Sequence, residues 1–182
     1  MKSKKIEMEE SYMTDLRYTI GQFQFPEVVT AQQVKGWMED IRLLPGQLAE
    51  ALNDASEQSL AKSYRENGWT VTQLVHHIAD SHMNSYIRFK LALTEDVPTI
   101  KPYNEVDWAQ LPDSEMPVSV SYQLIEGLHA RWVYLLESLT AEQIQRAFHH
   151  PDSGLMTLEK AVALYAWHGK HHLAHIQIAL AK

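Results

Sequence analysis

The segment His168-Gly169-Lys170-His171-His172-Leu173-Ala174-His175 gathers four of the chain's ten histidines. His168 and His172 are four residues apart, so on a helix they stack on one face, one turn apart. Two imidazoles so placed can share one metal ion, as in the HExxH zinc helices. Here the residue after the first histidine is Gly169 where those proteases carry glutamate. Their built-in general base is missing, and a protease of that type is not expected. Ala161, Tyr165, Ile176 and Ala179 lie near the same stripe. That face points inward, where several unpaired histidines would be costly.

A third ligand has to come from another helix, and His76, His77, His82 and His129 are the candidates. His77 shares a polar stripe with Thr70, Leu74, Ser81, Asn84 and Arg88, separate from the apolar face of Val71, Val75, Ile78, Tyr86 and Phe89. A helix with one core face and a second polar stripe is what a lined pocket needs. His76 falls between the two faces. His82 sits on the apolar face and reads as a satisfied core histidine. His129 lies with Ile125, Trp132 and Leu136, either as a core residue or as a group close behind the metal. His149 and His150 fall in an expected turn and read as solvated. Asp80, three residues after His77, is a candidate to orient that imidazole, since metal-bound imidazoles usually donate their other N–H to a carboxylate or carbonyl. Its alternative is an exposed charge or an ion pair.

Three histidines with no certain fourth ligand leave an open coordination position, the mark of a catalytic rather than a structural site. Imidazole donors suit zinc, nickel, copper or iron(II). One zinc per chain is expected, with nickel a credible occupant after purification. His129 and His175 are candidates for a proton shuttle, or for a fourth ligand that closes the site.

The elements that must position these residues are helical. Thr30 with Gln33, and Thr70 with Gln73, are capping-box pairs that open two helices, the second running to about Thr94. Pro45 should kink or split the first. A third helix is expected over about 119–139, and a fourth, capped by Thr157, to the C-terminus. Between the second and third lies a connection from about Glu95 to Pro117 containing Pro98, Pro102, Pro112 and Pro117. So long a connection usually has a role, such as covering a site. Phe148-His149-His150-Pro151-Asp152-Ser153-Gly154 reads as a turn. The fold class predicted is all-α: a four-helix bundle with one long crossover between helices 2 and 3.

The chain has 182 residues and 45% apolar content, which suits one domain over 1–182 with a real core. Residues 1–26 read as an irregular opening segment. The net charge of -7 argues against a nucleic-acid partner, because that affinity comes from Lys and Arg neutralising phosphates. The run Lys2-Ser3-Lys4-Lys5 is offset by Glu7, Glu9 and Glu10 and reads as a solvated tail. Without cysteine there is no disulfide, thiolate ligand or cysteine nucleophile, which fits a reducing cytosol. No membrane span or signal segment is visible, so the cytoplasm is the expected location.

The stretch Gly68-Trp69-Thr70-Val71-Thr72-Gln73-Leu74-Val75-His76-His77-Ile78-Ala79-Asp80-Ser81-His82-Met83-Asn84 resembles the second-helix motif of the DinB superfamily, and within it the YfiT group. In that superfamily a histidine eight residues after the Trp is a ligand, which here is His77. His168-Gly169-Lys170-His171-His172-Leu173-Ala174-His175-Ile176 resembles the fourth-helix motif that supplies the other two. Asp15-Leu16-Arg17-Tyr18, Phe89 to Glu95, Pro98 to Tyr103 and Leu128 to Trp132 extend the resemblance over nearly the whole chain. It implies a metal-binding bundle of up-down-down-up topology, often a homodimer. YfiT-like proteins are called hydrolases largely by analogy, and relatives include thiol transferases using bacillithiol or mycothiol.

Three functions are therefore weighed. In the first, a low-molecular-weight thiol binds at the open position, is deprotonated, and attacks a small electrophile. Arg88, on the His77 stripe, and Lys101, from the crossover, would recognise the rest of that small molecule. In the second, the metal activates water for hydrolysis. In the third, the bundle binds or senses metal without catalysis, behind a closed four-ligand site.

Overall fold

The computed structural model describes residues 15–182, so the Lys2–Lys5 run lies outside the described residues. Four long helices make the body: α1 (Ala31–Leu52), α3 (Val71–Thr94), α5 (Val118–Glu137) and α6 (Leu158–Leu180). Two single-turn helices, α2 (Glu57–Leu60) and α4 (Glu105–Trp108), sit in the connections. Thr30 and Thr70 each close a full capping box with Gln33 and Gln73, and Thr157 caps α6 by accepting from the Lys160 N–H. These are the helix starts that the sequence predicts, and each satisfies amides that have no partner within the helix.

Side-chain pairs give the helix directions. On α3 and α5, His82 meets His129 and Phe89 meets Trp132, so these helices run parallel. Tyr165 and His168 of α6 meet His82, while His172 meets His77, so α6 runs against α3. Asp40 of α1 pairs with Lys170 of α6 at 2.7 Å, and a cleft further along brings Gln47 and Ala51 beside Leu173 and Gln177, so α1 and α6 are parallel. The order is up-down-down-up. Two parallel neighbours consecutive in the chain need a long crossover, which residues 95–117 supply.

That crossover is ordered by pairing. The Ile100 N–H donates to the His149 carbonyl at 3.0 Å, and the His149 N–H to the Pro98 carbonyl at 2.9 Å. Its partner is a hairpin of β1 (Ala147–His150) and β2 (Gly154–Thr157), antiparallel with Phe148 opposite Met156. The turn expected over 148–154 is therefore the tip and flanks of this hairpin. Phe148 and Met156 are buried on one side while His149 and Leu155 face out. Strands of four residues are too short for that alternation to stand out in the sequence.

A second difference concerns Pro45. α1 continues as one helix from Ala31 to Leu52 past it, so the proline does not split it. Proline brings no N–H, so the carbonyl one turn earlier, that of Ile41, loses its helical donor. The His129 Nδ1 fills the vacancy at 2.7 Å. A buried side-chain donor thus supports the helix where its own backbone cannot.

The core has two clusters along the bundle. One centres on Ile41, Phe89, Trp132, Leu158 and Tyr165, the other on Leu44, Leu74, Ile78, Ile125 and Ile176. His82 of α3, His129 of α5 and His168 of α6 meet one another within the bundle. Among the described residues no helix is long and apolar enough to cross a membrane.

Candidate metal centre

His77 of α3 and His168 and His172 of α6 converge, each offering a ring nitrogen, with these atoms all within 4.8 Å of one another. The Nε2 atoms of His77 and His168 are 3.2 Å apart. The ring centroids are 5.2 Å apart for His77–His168, 4.8 Å for His77–His172 and 4.4 Å for His168–His172. Trp69, just before α3, packs against His77 at 4.6 Å and forms one wall. Burial pushes His77 down to about 4, and burial with neighbouring histidines holds His168 and His172 well below the usual imidazole range. These rings are neutral at physiological pH and present lone pairs, the form that binds a metal. Three neutral imidazoles crowded in a poorly solvated corner, with the His172 Nδ1 buried and unpartnered, fit a divalent transition ion.

His76 does not join them. Its Nδ1 contacts the Ser121 hydroxyl at 2.7 Å and its Nε2 the Met116 carbonyl at 2.9 Å, so both nitrogens are used in tying α3 to the start of α5. A second group, His171, His172 and His175, also brings ring nitrogens within 4.8 Å. His175 gives its Nε2–H to the Leu16 carbonyl at 2.9 Å and stacks on Tyr64 at 3.9 Å, and His171 stacks on Trp167 at 4.5 Å. His175 thus anchors the opening segment rather than facing the His77–His168 pair. His129 also stays away from that pair and reaches it only through His82, whose Nδ1 it meets at 2.9 Å.

Three other sequence expectations shift. Asp80 makes no hydrogen bond to His77. Its carboxyl is raised by burial and by the like charge of Asp113. Arg88 lies eleven residues from His77 on α3, about 16 Å along the helix, near His150 of the hairpin, whose protonation it disfavours. Lys101 is exposed. Helical periodicity puts Arg88 on the His77 stripe but cannot say how far along it the site extends. The crossover instead sends Tyr103 inward. Burial raises its phenol, with the nearby Ser81 opposing, and the Ser81 hydroxyl lies 3.5 Å from the His168 Nε2. Tyr103 was not legible as a site residue, being one aromatic in a proline-rich connection.

The buried histidines make the fold acid-sensitive. Burial pushes His129 down to about 4, whereas the unfolded chain titrates near 6.5. The unfolded state therefore takes the proton first as pH falls. On account of His129, stability is full above about 6.5 and drops as pH falls from 6.5 to 4. His129 alone accounts for about 3 kcal/mol of that loss. Urea unfolding midpoints should fall across this window, and less steeply in His129→Gln. A flat profile from pH 7 to 4 contradicts the neutral burial described.

Residues 41–176 match the family profile of the DinB superfamily. A protein of Bacillus cereus strain AH820, provisionally named a metal-dependent hydrolase, is 55% identical over 164 residues, 90% of this chain and 95% of its own. A similarly named Bacillus thuringiensis protein is 54% identical over the same shares. Among solved structures, YfiT from Bacillus subtilis is similar at 45% identity and a TM-score of 0.88, over 91% of this chain and 96% of that one. It is described as a probable metal-dependent hydrolase with an unusual four-helix bundle topology.

Proposed function

The chain belongs to the DinB superfamily, and from that premise we propose that His77, His168 and His172 hold one divalent ion, zinc in the cell, and that the protein transfers a low-molecular-weight thiol to small electrophiles. The observation that carries this reading is the donor set: the converging groups among the described residues are all histidines, with no carboxylate beside them. The ion, when bound, supplies Lewis acidity that deprotonates a thiol outright. Neutral imidazoles leave its double positive charge undiminished, which favours an anionic sulfur partner. A thiol activated in this way needs no strong base from the chain. Hydrolysis profits from one, and among the described residues no carboxylate joins the converging groups.

The chain's own residues then bind and orient. Trp69 screens His77 from water on one side. Tyr103, kept protonated by burial, is a hydrogen-bond donor beside Ser81 for the electrophile or its leaving group. With Arg88 distant and Lys101 exposed, Ser81 and Tyr103 are the nearer groups for recognition of the substrate.

The test is a paired assay of zinc-loaded protein. Bacillithiol, or cysteine as a simpler stand-in, is offered with a halogenated aromatic. A panel of activated esters and amides is run without thiol. Thiol-dependent, zinc-dependent turnover of the electrophile is expected to exceed turnover of the panel. Zinc-dependent hydrolysis with no thiol dependence anywhere overturns the transfer reading and leaves the hydrolase that the relatives' names describe.

A further inference from the structure

The deepest polar feature of the bundle is a row of imidazoles. The His129 Nδ1 lies 2.7 Å from the Ile41 carbonyl oxygen. The His129 Nε2 lies 2.9 Å from the His82 Nδ1. The His82 Nε2 lies 3.1 Å from the His168 Nδ1. The His168 Nε2 then faces His77. His82 and His129 are 0% and 1% exposed, so no solvent completes their bonding.

The position of every proton in this row follows from its far end. A carbonyl only accepts, so the His129 Nδ1 carries hydrogen. Burial keeps His129 neutral, so its Nε2 is a lone pair and the His82 Nδ1–H donates to it. The His82 Nε2 is then a lone pair and accepts from the His168 Nδ1–H. The His168 Nε2 is left bare, directed toward His77. For neutral rings, any other arrangement sets two N–H groups or two lone pairs against each other inside an apolar core, or leaves a donor unmet, and each such fault is costly. The row starts where it does because Pro45 has no N–H to give the Ile41 carbonyl. A proline that looks like a helix fault is what frees the acceptor.

We propose that Pro45, His129 and His82 act together as positioning residues that fix His168 as its Nδ1–H tautomer and so hold its Nε2 ready as a metal donor. This rests on the reading of His77, His168 and His172 as the metal cradle. Metal-bound imidazoles usually rest on a carboxylate or a carbonyl. Here the contact is a neutral imidazole, and the carbonyl sits two rings further back. A neutral partner draws less charge onto His168 than a carboxylate does. It therefore preserves the strongly positive site that thiol transfer uses.

The decisive measurement needs no metal. In metal-free protein labelled with 15N-histidine, two-bond proton–nitrogen correlations distinguish the two tautomers. His82, His129 and His168 should all be Nδ1–H. An Nε2–H at His82 or His168 overturns the proposal, whatever the variants do. Zinc affinity, measured against a chromophoric chelator, supplies the second readout. His82→Leu should lose about 10- to 100-fold, the range for removing the partner of a ligating imidazole. His82→Gln, whose side-chain oxygen can accept in place of Nε2, should recover most of that loss. Equal affinities for the two variants overturn the proposal. Pro45→Ala restores a backbone donor to Ile41, so a mixture of His129 tautomers is expected in its spectrum, and an unchanged spectrum counts against the proline's part. Wild-type protein that binds no zinc yet shows the three Nδ1–H rings would refute the cradle and leave the tautomer row standing.

Discussion

His77→Ala, His168→Ala and His172→Ala should each lower zinc affinity by more than about 100-fold, because loss of an outer partner of a ligand alone costs 10- to 100-fold. His76→Ala is the informative control. It is adjacent in sequence and as deeply buried as His77, at 6% and 5% exposure. Its ring nitrogens are already occupied by Ser121 and the Met116 carbonyl, so it should keep its metal and lose stability instead. Elemental analysis and chelator competition on the four variants measure the first effect, and thermal unfolding the second. Full metal in His77→Ala with loss in His76→Ala reverses the assignment. The helical circular dichroism of the three ligand variants, and of wild type after chelation, should stay near native. Two apolar clusters hold the helices together without the ion, which adds stability only by binding the folded state. Collapse of the helical signal on chelation would make the site structural.

How much of this the sequence reveals depends on the range over which each signal acts. Thr30, Thr70 and Thr157 announce helix starts because a cap and its partner lie three residues apart, inside one turn. His168 and His172 are legible for the same reason, since a helix fixes residues four apart on one face. The hairpin at 147–157 escapes because its strands are four residues long and its third partner, Thr99, is fifty residues away. Arg88 shows the complementary limit: it shares the His77 stripe, yet periodicity carries no information about where along that stripe the neighbouring helices approach. The histidine row is the clearest case. Each of His82 and His129 reads correctly as a histidine on an apolar face. That the two meet, 47 residues apart, depends on α3 and α5 being parallel and in register. Pro45 belongs to the same class, because its consequence is a bond made by another helix.

Gly169→Glu should be strongly destabilising and should not create a hydrolase, although it writes an HExxH sequence into α6. In zinc helices of that type the glutamate faces the site. Here position 169 faces α1. A Cβ at Gly169 would sit 2.7 Å from the Leu44 Cδ2 and 3.4 Å from its Cδ1. Leu44 is itself 2% exposed, inside the second apolar cluster. A methyl group there asks Leu44 to shift, and the roughly 1 kcal/mol helix preference of alanine over glycine offsets much of the strain. Gly169→Ala should therefore stay within about 1 kcal/mol of wild type. A carboxylate has no such offset. Lys170, the next residue, is already paired with Asp40 of α1 at 2.7 Å, and an unpaired buried charge costs about 3–5 kcal/mol. For a chain of this length that lowers Tm by about 6–20 °C. Gly169→Gln separates the two causes: it carries the same volume without the charge and should fall between Ala and Glu. If Gly169→Glu instead melts with wild type and gains zinc-dependent amide hydrolysis, position 169 faces the metal. The glycine would then mark an absent base within the site rather than the close approach of two helices.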